Sequence, residues 1–96
     1  MYARVSTLSV PRERMKEVRR QIVERAVPAA RALRGRTRTF WLSDESSGTV
    51  VAVSMYETEA DLVHNREAAN AIRQASARSI GGSVGKVQEF EVIAEI

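Results

Sequence analysis

Thr49-Val50-Val51-Ala52-Val53-Ser54-Met55-Tyr56 is the stretch that most restricts what this chain can fold into. It follows Gly48, and a helix-start signal begins at Thr58. The run is too short for a buried helix and is rich in β-branched residues, so it reads as a strand. A half-exposed strand alternates apolar and polar residues, and this one does not. Val51, Val53 and Met55 point one way; Val50, Ala52, Ser54 and Tyr56 point the other. An antiparallel strand that is apolar or small on both faces needs cover on both. A chain of 96 residues carries helices enough for one side. The expected cover for the second side is another subunit.

The length predicts one domain, residues 1–96, with a thin core that further burial in an oligomer would help. Hydrophobic residues at 44% and charged residues at 28% fit a globular chain and not a disordered one. With no cysteine, disulfides and thiolate metal sites are excluded. No apolar run approaches ~18 residues, and Met1-Tyr-Ala-Arg-Val-Ser lacks the basic-then-apolar order of a signal peptide. The expectation is a cytoplasmic protein without a membrane partner. The net charge of +3 raises the question of nucleic acid. The basic residues are nearly all Arg scattered among Glu, with one local concentration at Arg31, Arg34, Arg36 and Arg38. Few aromatics are available for base stacking, so no nucleic-acid partner is expected.

In chain order, Tyr2 to Val10 reads as a strand closed by Pro11, which cannot donate to a ladder. Met15, Val18, Ile22, Ala26, Ala29 and Leu33 recur at helical spacing and predict a helix from Arg12 to Leu33. Pro28 lies in that stripe and should kink or split the helix near Arg25 to Val27. Gly35 stands where a left-handed helix cap is wanted. Arg36 to Ser43 is the second strand, and Asp44-Glu-Ser-Ser-Gly48 is a turn joining it to the Thr49–Tyr56 strand. Thr58 and Asp61 have the spacing of a helix N-cap and its responder. The helix they start should run to about Ser79 and stop at Gly81-Gly82. Leu62, Asn65, Ala69, Ile72 and Ser76 share one face of it. That face is poor in large side chains, which leaves two outcomes, close packing on the sheet or a hollow. Val84 to Ile96 is the fourth strand, with Glu89 and Glu91 on its solvated face, available to Arg36 and Arg38 across strands. The order β-α-β-β-α-β is the split βαβ, ferredoxin-like pattern: α+β, a four-stranded antiparallel sheet with two helices on one face.

Few constellations carry chemistry. His64 is the only histidine and falls on the helix side away from Leu62 and Ile72, the position of an exposed residue. Without a second His or any Cys, no metal site is expected. Ile80-Gly-Gly-Ser-Val-Gly85-Lys86-Val87 fails as a phosphate loop, because Ile80 stands where the first Gly is required and Val87 where Ser or Thr is. Nothing orients Ser6, Ser54 or Ser76 toward His64 as a nucleophile. Four polar or aromatic residues remain whose spacing aims them at the helix–sheet interior: Trp41, Tyr56, Asn65 and Arg73. Asn65 is the least expected, on an apolar stripe. A buried amide needs partners, and either a ligand or the protein itself can supply them.

Tyr56 closing a strand, Glu57-Thr58-Glu59-Ala60-Asp61-Leu62 leading into a helix, and Pro28 followed by Gly35 together resemble the antibiotic-biosynthesis monooxygenase-like group of dimeric α+β barrels. The resemblance follows the element order over nearly the whole chain. It implies a ferredoxin-like subunit whose sheet pairs with a second copy into a homodimeric barrel, with a pocket between sheet and helices. Some members of the group oxidise aromatic polyketides with oxygen and no metal or flavin, others degrade haem, and many have no known activity. Three departures bear on which. The strand-end aromatic, often Trp in the group, is Tyr56 here. Where many members carry His three residues after the helix Leu, this chain has Asn65, with His64 one place off. Haem-degrading relatives carry an Asn in the first strand, and Tyr2 to Val10 contains none. The departures disfavour haem degradation and leave the oxygenase without a matched catalytic set. The resemblance then implies small-molecule binding with no cofactor, with a cofactor-independent oxygenase acting on an aromatic or quinol-like substrate as the enzymatic form of that reading. Trp41 and Tyr56 would lie beside the ring, with Asn65 or Arg73 stabilising an anion. The alternatives are a non-catalytic ligand-binding barrel and a purely structural dimeric one.

Overall fold

The computed structural model describes residues 1–96. Strand β1 spans Tyr2–Ser9. A broken helical layer follows: a 3-10 stretch Arg12–Glu17, α1 Val18–Gln21, a π-type stretch Ile22–Ala26 and α2 Val27–Arg31. Then come β2 Arg36–Asp44, β3 Thr49–Tyr56, α3 Glu59–His64, α4 Arg66–Ser79 and β4 Ser83–Glu91. The sheet order is β2-β3-β1-β4, all antiparallel, with the helices on one face. This is the ferredoxin-like arrangement expected from the sequence, and β3 is one of its two central strands.

Register fixes which residues look at the helices. Leu8 pairs with Val50, Ser6 with Ala52, and Arg4 with Ser54; on the other side of β3, Trp41 pairs with Ala52. These residues face the helical layer. The core they begin is completed by Met15, Val18, Ile22, Ala26, Ala77 and Ile80. The opposite face holds Val51, Val53 and Met55 on β3, flanked by Phe40 and Leu42 on β2 and Phe90 on β4. Phe40, Leu42 and Phe90 are exposed. No element of the chain covers this face, in keeping with the two-sided character of β3.

The first helix departs from a single Arg12–Leu33 helix, and Pro28 accounts for the break in its second half. It has no N–H to give the carbonyl four residues back, and its ring crowds that carbonyl. The wider π-type turn over Ile22–Ala26 absorbs the misfit immediately upstream. Its cost is one residue of phase. Met15, Val18, Ile22 and Ala26 are buried as the periodicity requires, but the next buried position is Ala30 and not Ala29, which is exposed.

The second helix begins as the sequence dictates. The Asp61 amide donates to Thr58 Oγ1 at 3.1 Å, and Thr58 Oγ1 donates to Asp61 Oδ2 at 3.0 Å. It then breaks at Asn65 between α3 and α4. Gly35 has φ +71°, and a Cβ there would collide with the Asp61 side chain, so only glycine fits that turn. Gly81, at φ +65°, ends α4.

The fourth strand is shorter than Val84–Ile96. It ends at Glu91, because Tyr2 opposite Glu91 is where β1 begins. Beyond it only the Val92 amide is held, donating to the Met1 carbonyl at 2.9 Å. Ile93 and Ile96 stand in solvent.

Candidate functional site

Small side chains at the sheet–helix interface leave a hollow. Ser6, Ala52 and Ser54 on the sheet meet Ala30, Ala69 and Ser76 from the helices, and Leu8, Ile22, Leu33, Val50 and Ile72 close the apolar walls. The hollow is the second of the two outcomes open in the sequence. Its volume is about 50 Å³. By the scale of roughly 10–15 Å³ of such space per water, it holds a few small molecules and not yet a ring system. Trp41, Ile22 and Val50 form the partition between this cavity and an open groove of about 470 Å³. The groove runs between the first helical layer and the edge strand β2, past Val18, Val23, Val27 and Leu42.

One end of the cavity is cationic. Arg4 enters from β1 and is only 3% exposed. It is held by three residues. Nη1 donates to the Tyr56 hydroxyl at 2.9 Å, and Nη2 donates to the Leu62 carbonyl at 2.6 Å. Nη2 and Nε also reach Glu89 Oε2 at 3.2 and 3.4 Å. The guanidinium carbon lies 5.3 Å from the Tyr56 ring centre, a cation–π contact. Glu89 in turn accepts from Arg66 at 2.7 Å. These two guanidinium groups, Arg66 foremost, hold the Glu89 carboxyl below the ordinary carboxylate value against its own partial burial. Arg73 reaches the same cavity from α4. Its Nη1 makes one long bond, 3.4 Å, to the Ala69 carbonyl, and its Nε is buried without a partner. Burial, and next the nearby Arg4 charge, push its pKa down.

The residues singled out in the sequence therefore part company. Trp41 and Arg73 line the cavity. Tyr56 is 0% exposed and lies beneath Arg4, one residue removed from the cavity surface. Asn65 is buried but is not among the lining residues. Its Nδ2 donates to the Arg34 carbonyl at 2.6 Å and the Asp61 carbonyl at 2.9 Å. Both amide hydrogens thus tie the α3–α4 break to the loop before β2, and the protein supplies the partners the buried amide requires. His64 is exposed. Glu89 needs a correction of face and of partner. It looks into the helical layer opposite Arg4, and β4 and β2 lie at opposite edges of the sheet, so Arg36 and Arg38 are out of its reach. Arg4, the best-connected residue of the site, was not singled out in the sequence. The available signal was its spacing: Arg4, Ser6, Leu8 and Val10 share one strand face, and two of those four are plainly apolar.

No helix is long and apolar enough to cross a membrane. No cluster of three or more His, Cys, Asp or Glu is positioned to hold a metal ion. The sequence matches no protein-family model, and comparison with curated proteins finds no match. Solved structures do match over the whole chain. A candidate antibiotic biosynthesis monooxygenase from Deinococcus radiodurans superposes with TM-score 0.70 at 19% identity, covering 100% of this chain and 96% of that one. MhuD, a heme-degrader from Mycobacterium tuberculosis with two hemes bound in its active site, gives 0.73 at 17%, covering 100% and 99%. A dimeric ferredoxin-like protein from an uncultured marine organism gives 0.70 at 8%, covering 100% and 98%. The chain shares the fold of these proteins.

Proposed function

We propose that this chain, acting as one domain over residues 1–96 in the cytoplasm, is a homodimeric barrel that binds a small aromatic molecule between its sheet and its helices. The observation that carries this reading is the cavity itself, walled by small and apolar side chains and separated from a larger groove by Trp41, Ile22 and Val50. A ring entering from the groove would displace or stack on the Trp41 indole, joining the two spaces into one of ligand size. The homodimer is supported by the uncovered apolar face around Val51, Val53 and Met55, and by a fold relative described as dimeric.

The finer reading is a cofactor-independent monooxygenase. Fold relatives are named as candidate antibiotic biosynthesis monooxygenases, and the cavity is apolar enough to exclude water around a reacting ring. An electron-rich phenol would supply the electrons itself: phenol and dioxygen give quinone and water, one oxygen atom entering the ring and the other leaving in the water. Haem is a poor fit to this chain. The cavity offers no His, Cys, Met or Tyr side chain as an iron ligand, the groove offers only the buried Met15, and His64 lines neither space.

A second reading has its own observation. A cavity of about 50 Å³ is far below the roughly 300 Å³ of a typical ligand pocket, which favours a structural barrel with a nearly filled interior. Titration with phenols and quinols, read by fluorescence of the lone tryptophan and by oxygen uptake, separates them. Saturable Trp41 quenching with one O₂ consumed per quinone formed is the expected result. Quenching without oxygen uptake removes the oxygenase and keeps the binding protein. No quenching by any of them leaves the structural barrel. Sedimentation at micromolar concentration should find a dimer; a monomer there overturns the barrel altogether.

A further inference from the structure

The lining of the cavity is unbalanced in charge. Its residues include two guanidinium groups, Arg4 and Arg73, and no carboxylate. The nearest carboxylate, Glu89, is shared between Arg4 and Arg66. Arg73 therefore has no acidic partner, and its buried Nε has no acceptor at all. Arg73 is only partly buried, but its Nε is withdrawn from solvent without an acceptor, and a second cation beside Arg4 adds repulsion. Arg4 is locked by Tyr56, Leu62 and Glu89, while Arg73 lines the cavity and is held only by its long bond to the Ala69 carbonyl. Guanidinium groups present planar N–H donors suited to an oxyanion. The remaining walls are apolar, and the opening toward the groove passes Trp41.

We infer that the Arg4–Arg73 end of the cavity is an oxyanion subsite, and that the ligand is a compact aromatic monoanion, a carboxylate or a phenolate, with its charged oxygen at the arginines and its ring toward Trp41. This rests on the binding reading above and adds the charge and the orientation of the ligand. Arg73 is the free hand of the site and meets the anion directly. Arg4 supplies a fixed field, since its own donors are already engaged. The cavity volume suits the head group alone, and the ring extends past Trp41 into the groove. For a phenol, the same two cations favour the ionised form, which is the more electron-rich one.

Benzoate and benzamide differ little in shape and differ by one charge, so they make the test. Binding is read by calorimetry and by quenching of Trp41. The expected result is saturable binding of benzoate and at least tenfold weaker binding of benzamide. Arg73→Gln should lower benzoate affinity at least tenfold and benzamide affinity by no more than about threefold; Arg73→Lys, which keeps the charge but loses the planar fork, should fall between. Circular dichroism and urea unfolding establish that both variants fold. Equal affinity for benzoate and benzamide overturns the oxyanion subsite while leaving an aromatic-binding protein. An Arg73→Gln variant that folds and binds benzoate as tightly as the parent overturns it as well. No binding of either probe overturns the oxyanion subsite and the aromatic-binding reading beneath it together.

Discussion

Tyr56→Phe isolates one atom of the buried network. The substitution keeps the ring, and with it the packing and the cation–π contact with Arg4. It removes the hydroxyl that accepts from Arg4 Nη1 at 2.9 Å. Hydrogen bonds to charged groups contribute about 1.5–3 kcal/mol, and a buried donor left without its acceptor sits at the upper end. Two features pull the figure down. Arg4 keeps the Leu62 carbonyl and Glu89. The adjacent cavity is large enough for a water to reach the freed Nη1. The expected loss is therefore about 1.5 kcal/mol. For 96 residues the unfolding entropy is about 0.2 kcal/mol/K, so Tm should drop by about 7 °C. Urea unfolding at fixed protein concentration is the assay, with the midpoint lowered and the slope unchanged. A change below about 0.5 kcal/mol, the range of neutral surface substitutions, would refute the assignment of Tyr56 as the structural partner of Arg4. So would intact stability accompanied by loss of benzoate binding, which would place the hydroxyl on the ligand instead.

Two further outcomes follow from the same geometry. Asn65→Ala should destabilise by about 2 kcal/mol through the loss of both bonds to the Arg34 and Asp61 carbonyls. Benzoate affinity of that variant should stay within about twofold, measured on the folded protein, because Asn65 lies outside the cavity wall. Glu89 has its folded pKa depressed, first by Arg66 and then by Arg4, so in acid the unfolded chain binds the proton more readily and stability rises with pH. That contribution is complete above the ordinary carboxylate value of about 4.3 and is lost as pH falls through the lower folded value. Glu89→Gln should thus be less stable than the parent near neutrality, with the gap closing as the pH falls below the ordinary carboxylate range; parallel curves through that fall would show that Glu89 is not the linked group.

Local signals in the sequence carried far. The two-sided apolar character of Thr49–Tyr56 placed it in the middle of the sheet with one face uncovered, because burial patterns are written in the side chains of one strand. Thr58 with Asp61, and Gly35, are short-range chemistry and appear in the structure as their spacing implies. What failed was long-range. Which face of β4 meets the helices depends on strand order and on a register shift opposite Ser6 and Leu8, and neither is encoded within β4 itself. Alternation within β4 alone therefore puts Glu89 in solvent, whereas the sheet places it against Arg4. Arg4 carries no local sign of burial, because a charged residue in a strand is ordinarily exposed; only three partners from three other elements make its burial tolerable. Trp41 and Arg73 were legible as inward-facing residues, whereas the engagement of Tyr56 and Asn65 with protein atoms was not, since their partners lie 52 and 31 residues away in sequence.

The widened turn at Ile22–Ala26 has a consequence for comparison with relatives. It amounts to one residue inserted into a helix, so the chain before it and the chain after it are numbered in two different frames. Aligned without a gap against a relative whose helix is unbroken, every position from Val27 to Leu33 would be compared with a neighbour one step out of place. Ala29, which faces solvent, would be scored against an inward-facing residue, and Ala30, which walls the cavity, against an outward one. Opening a one-residue gap between Gln21 and Val27 restores the correspondence. Pro28 is the mark in the sequence that says where to open it.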